Sequence, residues 1–348
     1  MSAPADRIER RERPTMKDVA ALAGVSIKTV SRVISDVPTV DPDMAARVRD
    51  AAAKLGYRPN LTASNLRRGD RRTNTIGLLL EDISNPYSSA VHRAVEDYFR
   101  HRGILVLAGS LDEDPDRERE LARTLINRRV DGLIIMPATR DHRWIVAEQQ
   151  AGTSFVFIDR KPVPLLADAI VTDNRASART AVEHLLKTGR QRIAYLGDDL
   201  SIPTAVERFR GFQEAMTAAG LDVDEQLVHH GLRTANESKD TTAELLRTPS
   251  RPEGIFTSQN LVTIGAVEAV HMAGVQHHVA LVGFDDVPLA TALQPGITVM
   301  AQDPATIGRL AAERLVERMN GDSSPAAVHT VPTHLIARGS GELDMATP

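Results

Sequence analysis

Near the N-terminus, residues Asp18 to Ile34 read "DVAALAGVSIKTVSRVI". This stretch contains two short segments of helical apolar periodicity, separated by Gly24-Val25-Ser26. Each segment is too short to form a stable helix alone in water. We therefore predict two helices that stabilise each other. Thr15 caps the first, over residues 16–23, and Ser26 caps the second.

The second helix is predicted to have one apolar and one polar face. At 100° per residue, Val30, Val33 and Ile34 share a face. The opposite face carries Lys28, Ser31, Arg32 and Ser35. A third helix over residues 42–55 is indicated by an Asp41-Pro42 start and by Gly56 at its end. Together the three segments predict a helix-turn-helix whose second helix suits the major groove of DNA.

The charge of the chain is unevenly distributed. Residues 1–72 contain 15 Lys and Arg against 9 Asp and Glu, a net charge of +6. The remainder contains 27 basic and 37 acidic residues, a net charge of −10. A basic head on an acidic body suggests that the head binds a polyanion, although a solvated basic face gives the same arithmetic. Residues 1–14 lack an apolar core, so we expect a mobile charged tail rather than a secretory signal.

The head resembles the DNA-binding domain of the lactose-repressor (LacI) family. The residues that carry this resemblance are "TMKDVAALAGVSIKTVSRVIS" and "VRDAAAKLGYRPNLTASNLRRG". It implies a head over 15–58 and a hinge over 59–73 that folds on operator DNA and wedges Leu66 into the minor groove. The implied DNA contacts are Thr15, Ser26, Ile27, Lys28, Thr29, Ser31, Arg32, Asn60, Thr62, Ala63, Leu66 and Arg67. A helical protein-interaction domain followed by a flexible linker is the alternative.

Residues 74–348 have a different pattern, in which short apolar runs alternate with amphipathic segments. Nearly continuous apolar strands between helices predict parallel sheets covered on both faces, and this length favours two doubly wound lobes. We place lobe 1 at about 74–172 and 302–331, and lobe 2 at about 173–301 and 332–348. The predicted strands lie within 75–82, 104–110, 130–137, 154–160, 169–174, 192–198, 254–259 and 279–286. Helices are predicted at Tyr87–Arg102, Ser177–Gly189, Arg208–Gly220 and Leu261–Gly274.

Several classes of function find no support in the sequence. Cysteine is absent, which excludes disulfides and thiolate sites and fits a reducing cytosol. No apolar run approaches the roughly 18–20 residues that span a bilayer. The chain lacks a phosphate loop, a dinucleotide fingerprint, HExxH and GxSxG, so we expect no cofactor, no metal and no catalytic centre.

Polar residues end many of the predicted strands: Asp82, Asp159, Asp173, Gln259 and Asp285. In open parallel sheets, ligands bind beyond the carboxyl ends of the strands. Two lobes that face each other there would form a cleft suited to a polyhydroxylated molecule. The alternative is that these residues cap the helices that follow, and Asp173 is the clearest case.

The body also resembles the LacI family and, through it, the periplasmic sugar-binding fold. The matching stretches include "NPYSSAVHRAVE", "FIDR", "VTDNRASARTAVEHLLKTGRQRIAYLG", "ERFRGFQEAM", "VGFDD" and "HLIARGS". The resemblance implies an effector site formed by Tyr87, Ser88, Asp159, Thr204, Arg208, Arg233, Gln259 and Asp285. Two arginines in this set predict an effector with an acidic group. A structural ion pair between Arg208 and Asp285 is the alternative.

The resulting expectation is a cytoplasmic, homodimeric repressor of sugar-metabolism genes that a sugar-like effector releases from a palindromic operator. The alternative is a regulator of the same fold that needs a corepressor to bind its operator. No heptad tail follows Ser340, which favours a dimer over a tetramer. A solute-binding protein would explain the body but not the head, and an α/β enzyme would need a catalytic pair that the sequence does not show.

Overall fold

The structure is a computed structural model that describes residues 14–34, 37–58 and 72–344. The chain forms two compact units that divide between Thr73 and Asn74. The predicted charged tail, Ser35 and the predicted hinge contacts Asn60, Thr62, Ala63, Leu66 and Arg67 lie outside the described residues. The head and the body are therefore described separately below.

The head contains the three predicted helices, α1 Met16–Ala23, α2 Ile27–Ile34 and α3 Pro42–Leu55. The Asp18 carboxylate accepts hydrogen bonds from both the backbone N–H and the hydroxyl of Thr15 at 2.7 Å. The Ser26 hydroxyl accepts from the Thr29 N–H at 3.1 Å. Gly24 ends α1 with φ of 64°, the left-handed conformation that glycine adopts freely. Val19, Val30 and Val48 are fully buried and form the centre of a small core.

Lobe 1 is a six-stranded parallel sheet in the order β11-β5-β4-β3-β1-β2. One face packs on α4 and α11, and α5 lies on the other face. Its strands are β1 Thr75–Leu80, β2 Leu105–Ser110, β3 Gly132–Ile135, β4 Ser154–Ile158, β5 Asp168–Thr172 and β11 Val328–Val331. Its helices are α4 Pro86–Arg100, α5 Pro115–Asn127, α6 Ile145–Gln150 and α11 Pro304–Met319.

Lobe 2 is a six-stranded sheet in the order β12-β10-β9-β8-β6-β7, parallel except for the antiparallel pair β10–β12. Its strands are β6 Ile193–Leu196, β7 Val228–His229, β8 Gly254–Thr257, β9 Ala280–Phe284, β10 Thr298–Ala301 and β12 His334–Ile336. Its helices are α7 Asn174–Lys187, α8 Pro203–Ala218, α9 Ala235–Arg247 and α10 Asn260–Met272. A short 3-10 helix, Glu225–Leu227, precedes β7.

The two-lobed parallel fold predicted from the alternating pattern is confirmed. The eight predicted strands correspond to β1 to β6, β8 and β9. The sequence pattern did not predict the other four strands, β7, β10, β11 and β12. Among these four, β7 has two residues, and β11 is an edge strand with exposed positions. The four predicted helices begin one to five residues too late, and the largest error is at α8, which starts at Pro203 instead of Arg208. None of the described helices combines the length and apolar character needed to cross a bilayer.

Candidate functional site

The two lobes present an aspartate to the cleft between them on matching backbone. Asp159 directly follows β4, and Asp285 directly follows β9. Each donates its N–H to a carbonyl of the neighbouring strand at 2.9 Å, Asp159 to Ile170 and Asp285 to Met300. Their φ angles are 66° and 68°. This left-handed conformation costs a non-glycine residue roughly 1–2 kcal/mol, and it turns both side chains into the cleft.

A small cavity, here called the inner cavity, lies between the lobes at these strand ends. Its free volume is about 40 Å³. Since one water needs roughly 10–15 Å³ by this measure, the space holds about three water molecules. A sugar would therefore have to part the lobes or displace side chains. The lining residues are Glu81, Asn85, Tyr87, Met136, Asp159, Arg160, Asp198, Ile202, Thr204, Ala205, Arg208, Ser258, Gln259, Asn260, Asp285 and Gln302.

Most of the predicted effector-site residues come together in the inner cavity. They are Tyr87, Asp159, Thr204, Arg208, Gln259 and Asp285. Ser88 does not line it, because its side chain is fully buried. On α4, Ser88 shares the core-facing stripe with Val91, Val95 and Phe99, whereas Tyr87 is rotated by 100° towards the cleft.

Arg233 also lies outside the inner cavity. Its side chain is exposed and lines a neighbouring pocket, here called the outer pocket, which has a free volume of about 460 Å³. Arg160 and Ile202 line both spaces. The structure therefore does not bring Arg208 and Arg233 together in one space, because the loop before α9 places Arg233 in the outer pocket. The acidic group expected on the effector stays a prediction.

Arg208 is held by neutral groups of lobe 2. Its Nε donates to Asn174 Oδ1 at 2.7 Å, and one terminal nitrogen donates to the Ser258 carbonyl at 2.7 Å. The guanidinium carbon lies 3.8 Å from the centroid of the Phe284 ring. A guanidinium has five N–H donors, so further donors remain for a ligand.

Asp285 is not the ion-pair partner of Arg208. Between residues 72 and 344, no Arg208 nitrogen approaches an Asp285 carboxylate oxygen within the 4.0 Å of an ion pair. The Oδ1 atom of Asp285 accepts instead from Gln302 Nε2 at 2.8 Å. Burial raises the pKa of Asp285 above its usual value, and the nearby charge of Arg208 opposes this shift. Asp285 thus has acceptor capacity that faces the cavity.

Lobe 1 supplies a guanidinium of its own, from Arg160. It donates to both carboxylate oxygens of Glu113, at 2.7 and 2.5 Å, and to the Pro137 carbonyl at 2.9 Å. Its Nε lies 3.2 Å from Asp159 Oδ2 in an ion pair. Burial disfavours the charged form, but the hydrogen bonds and charge of Glu113 raise the pKa of Arg160. This cluster fixes the lobe 1 wall of the cavity.

Sequence reasoning missed two further carboxylates in the inner cavity, Glu81 and Asp198. Both follow apolar strands, β1 and β6, so the strand-end rule could have found them. It selected Asp82 instead, whose side chain turns back to accept from the N–H of Ser84 at 2.8 Å. Burial, with repulsion from Glu113, raises the pKa of Glu81 to about 7, and burial also raises that of Asp198.

Asp173 and Gln259 both cap the helix that follows them, which is the alternative role expected for polar residues at strand ends. Asp173 accepts from the Ala176 N–H at 3.1 Å and caps α7, as predicted. Gln259 accepts from the Leu261 N–H at 3.0 Å and caps α10, yet it also lines the inner cavity. Capping and ligand contact are therefore compatible at a strand end.

Direct hydrogen bonds join the two lobes across the cleft. The side-chain amides of Asn85 and Asn260 bond to each other reciprocally, at 2.7 and 3.3 Å. Gln302, at the start of the segment that returns to lobe 1 after β10, accepts from the Tyr87 hydroxyl at 3.4 Å and donates to Asp285 Oδ1 of lobe 2 at 2.8 Å. Arg140 of lobe 1 donates to the Ser201 carbonyl of lobe 2. Sequence reasoning missed this set, because each bond joins residues far apart in the chain.

The surface of α2 in the head carries the described part of the predicted DNA contacts. Lys28 and Arg32 are exposed, and Ile27 is 43% exposed, whereas Thr29 and Ser31 are partly buried. The Arg32 guanidinium donates to the Thr39 hydroxyl at 2.6 Å, a contact that the helical pattern did not predict. The exposed caps are Thr15 and Ser26.

Comparisons with known proteins agree with this architecture. Residues 15–60 match the family profile "Bacterial regulatory proteins, lacI family", and residues 182–341 match "Periplasmic binding protein-like domain". The ribose operon repressor of Halalkalibacterium halodurans is 32% identical over 333 residues, 93% of this chain and 96% of that protein. The chain belongs to the LacI family of transcriptional regulators.

Other members of the LacI family match over nearly the whole chain. The regulator CelR of Thermobifida fusca is 32% identical over 344 residues, 96% of this chain and 100% of that protein. The structure of the lac repressor dimer bound to operator and the anti-inducer ONPF aligns with a TM-score of 0.82 and 25% identity, over 95% of this chain and 100% of that one. A complex of CelR with cellobiose aligns with a TM-score of 0.67 and 29% identity, over 94% and 100%.

Proposed function

We propose that this protein is a repressor of sugar-metabolism genes that a small sugar or sugar derivative releases from its operator. The observation that carries this proposal is the inner cavity, in which both lobes place carboxylates, amides and guanidinium groups around one small space. Paired acceptors and donors of this kind bind vicinal hydroxyl groups. The relatives whose names include a ribose operon or cellobiose support the same class of ligand.

We propose that two copies of the chain act together, in the cytoplasm, on one palindromic operator. Two heads related by a twofold axis would read the two half-sites, each with its α2 in the major groove. The lac repressor dimer on its operator supports this arrangement. The predicted contacts from 59–71 stay part of the proposal: Leu66 as a minor-groove wedge, with Asn60, Thr62, Ala63 and Arg67 beside it.

Coupling between the cavity and the DNA requires that the ligand discriminate between two arrangements of the lobes. The inner cavity is too small for a sugar, and the reciprocal Asn85–Asn260 bonds bring the lobe edges together. A sugar that parts the lobes would break or rearrange such bonds. We propose that this rearrangement weakens operator binding. In the opposite case, the ligand is a corepressor, and the same coupling strengthens operator binding.

A catalytic role is the second candidate, and the inner cavity argues against it in a specific way. Three of its four carboxylates are already engaged, Asp159 by Arg160, Asp285 by Gln302 and Asp198 by the Asp199 N–H. Among the described residues, its lining contains no histidine or cysteine that could form a base–nucleophile pair. Incubation of the protein with each bound sugar should therefore leave the sugar chemically unchanged. Turnover detected by mass spectrometry would support an enzyme instead.

A panel of pentoses, hexoses, sugar acids and phosphorylated sugars, scored by thermal shift, tests the ligand class. A ligand at 100 times its dissociation constant stabilises the native state by about 2.7 kcal/mol, which a melting curve resolves. We expect at least one polyhydroxylated compound to raise the melting temperature, and to do so less in the Asp285→Asn variant. Equal shifts in both proteins would place the binding site elsewhere.

The head has its own test, which uses Arg32. Because Arg32 and Lys28 are exposed on α2, we expect them to read base edges. Arg32→Ala should cost about 1–3 kcal/mol of binding and relax the preference at one operator position. Selection from random duplexes followed by sequencing measures both quantities. A uniform loss on every sequence would show that Arg32 contacts phosphate alone, and Lys54→Ala on α3 serves as the control.

A further inference from the structure

The outer pocket has a charge opposite to that of the inner cavity beside it. The inner cavity is lined by four carboxylates, from Glu81, Asp159, Asp198 and Asp285, against two guanidinium groups, from Arg160 and Arg208. The outer pocket is lined by the cations Arg140, Arg160, Lys161 and Arg233 and by the acids Glu113 and Asp199. The two spaces adjoin, because Arg160 and Ile202 line both of them.

The acids of the outer pocket are already engaged. Glu113 receives two hydrogen bonds from Arg160, and Asp199 accepts from the Ser201 N–H at 2.6 Å. These bonds leave little attraction for a cationic or hydroxyl-rich ligand. The hydrogen bonds from Ser201, with the nearby charge of Arg233, keep the pKa of Asp199 below its usual value, so this carboxylate stays ionised.

The cations of the outer pocket, in contrast, have spare capacity. Within residues 72–344, neither Lys161 nor Arg233 forms an ion pair, and both side chains are exposed to the pocket. Arg140 donates to the neutral carbonyl of Ser201. Arg160 is 8% exposed and already pairs with Glu113 and Asp159, so it adds positive charge to the pocket but no free donor of its own. A free volume of about 460 Å³ gives room for a group much larger than water.

We propose that the outer pocket is an anion subsite, which takes the carboxylate or phosphate of an effector whose hydroxylated part occupies the inner cavity. This inference rests on the proposed function, and it names the chemical class of the effector as an acidic or phosphorylated sugar. Arg140 and Lys161 bind the anion from lobe 1, and Arg233 binds it from lobe 2. The ionised carboxylates of the inner cavity repel the same group, which orients the ligand with its anion outward.

The subsite can be tested without knowledge of the sugar, with inorganic phosphate as the probe. The test variant is the double substitution Lys161→Gln and Arg233→Gln, which removes two charges and keeps polar, shorter side chains. The control is Lys187→Gln with Arg251→Gln, two exposed cations of lobe 2 that line neither space. Phosphorus NMR should show a saturable shift with the wild-type protein and the control, and at least a tenfold weaker affinity with the test variant. Equal affinities in all three proteins, or no saturable shift, would overturn the subsite.

Calorimetry with glucose, glucuronate and glucose 6-phosphate then tests the class of ligand. We expect one of the two anionic sugars to bind at least tenfold more tightly than glucose, and the test variant to remove this difference. Tighter binding of glucuronate would identify the anionic group as a carboxylate, and tighter binding of glucose 6-phosphate would identify it as a phosphate. Tighter binding of glucose, or an equal loss for neutral and anionic sugars in the test variant, would overturn the inference while leaving the proposed function intact. Phosphate binding with no sugar bound anywhere in the wider panel would support the subsite and contradict the proposed function.

Discussion

The aspartates that face the cleft from the two lobes share one backbone geometry but have different neighbours. Asp159 is followed by Arg160, which is buried and paired with Glu113. Asp285 is followed by Asp286, whose carboxylate turns outward to Arg338, at 2.7 Å from both oxygens. Lobe 1 therefore pairs its aspartate with a cation of its own wall. Lobe 2 leaves Asp285 near an arginine that is bound to neutral partners.

This difference assigns different roles to the two walls. A carboxylate already paired inside its own lobe contributes more to the fold than to the ligand. A carboxylate bound to an amide gains more from a sugar hydroxyl that approaches it. We infer that the lobe 1 cluster is mainly structural and that the lobe 2 wall supplies more of the discrimination between ligands.

The largest effect on stability is expected from Arg160→Ala. Removal of one member of a buried charge cluster leaves Glu113 and Asp159 without their partner and costs about 3–5 kcal/mol. Urea unfolding followed by circular dichroism measures this loss. The matched control is Arg338→Ala, because its partner Asp286 is exposed to solvent and the expected loss is about 1 kcal/mol. Similar losses in the two variants would remove the contrast between the lobes.

Arg208→Ala should have a smaller effect on stability. The substitution leaves two neutral acceptors, Asn174 Oδ1 and the Ser258 carbonyl, without their donor. The expected loss of unfolding free energy is about 2–3 kcal/mol. The same unfolding experiment ranks this variant against Arg160→Ala. A greater loss for Arg208→Ala would mean that the lobe 2 cation, and not the lobe 1 cluster, is the main structural charge of the cleft.

Substitution of Asp159 or Asp285 by asparagine tests, through effector binding, the different roles of the two walls. Asp285→Asn should weaken the binding of the effector found in the panel by roughly 10–100-fold, equivalent to about 1–3 kcal/mol. Asp159→Asn should weaken it less and lower the unfolding free energy more, because Asp159 pairs with Arg160. Calorimetry and urea unfolding of both variants give the two rankings. Reversed rankings would contradict the roles assigned to the walls.

The smallest effect expected is a pH dependence that comes from Glu81. Its pKa is raised to about 7 in the fold, so the native state holds a proton that the unfolded chain loses at lower pH. This contribution is present below about pH 4.5 and is lost as the pH rises through 7. Glu81→Gln should therefore reduce the decline in unfolding free energy between pH 5 and 8 by roughly 1–2 kcal/mol, allowing for partial exposure. An unchanged slope would contradict the raised pKa.

The sequence predicted the head more fully than the cleft, and the reason is distance along the chain. Caps and apolar periodicity are local, so Thr15, Ser26 and Gly56 were sufficient to place three helices. The cleft is formed by residues that follow different strands, and a strand-end rule cannot tell Glu81, which enters the cavity, from Asp82, which turns back to Ser84. It also could not show that Ser88 belongs to the core stripe of α4, or that Arg233 lies in the outer pocket.

The pairing of the lobes was beyond sequence reasoning for the same reason. The Asn85–Asn260 bonds and the contacts of Gln302 depend on how two sheets face each other. The resemblance to the LacI family found six residues of the inner cavity, since the family motifs keep the order of the strands. It could not assign the acidic group of a ligand to one pocket or the other, which depends on charges contributed by five separate loops.

A ligand in the cleft is expected to control the binding of the head to DNA. Fluorescence anisotropy of a labelled operator duplex, selected by the wild-type protein, tests it directly with wild type and Asp285→Asn, each with and without the effector from the panel. For wild type, we expect saturating effector to change the operator dissociation constant by at least tenfold. For Asp285→Asn, we expect unchanged operator affinity without effector and a response shifted to 10–100-fold higher effector concentration, in line with roughly 1–3 kcal/mol of lost binding. An operator affinity that effector leaves unchanged in the wild-type protein, although the effector binds, would contradict the account.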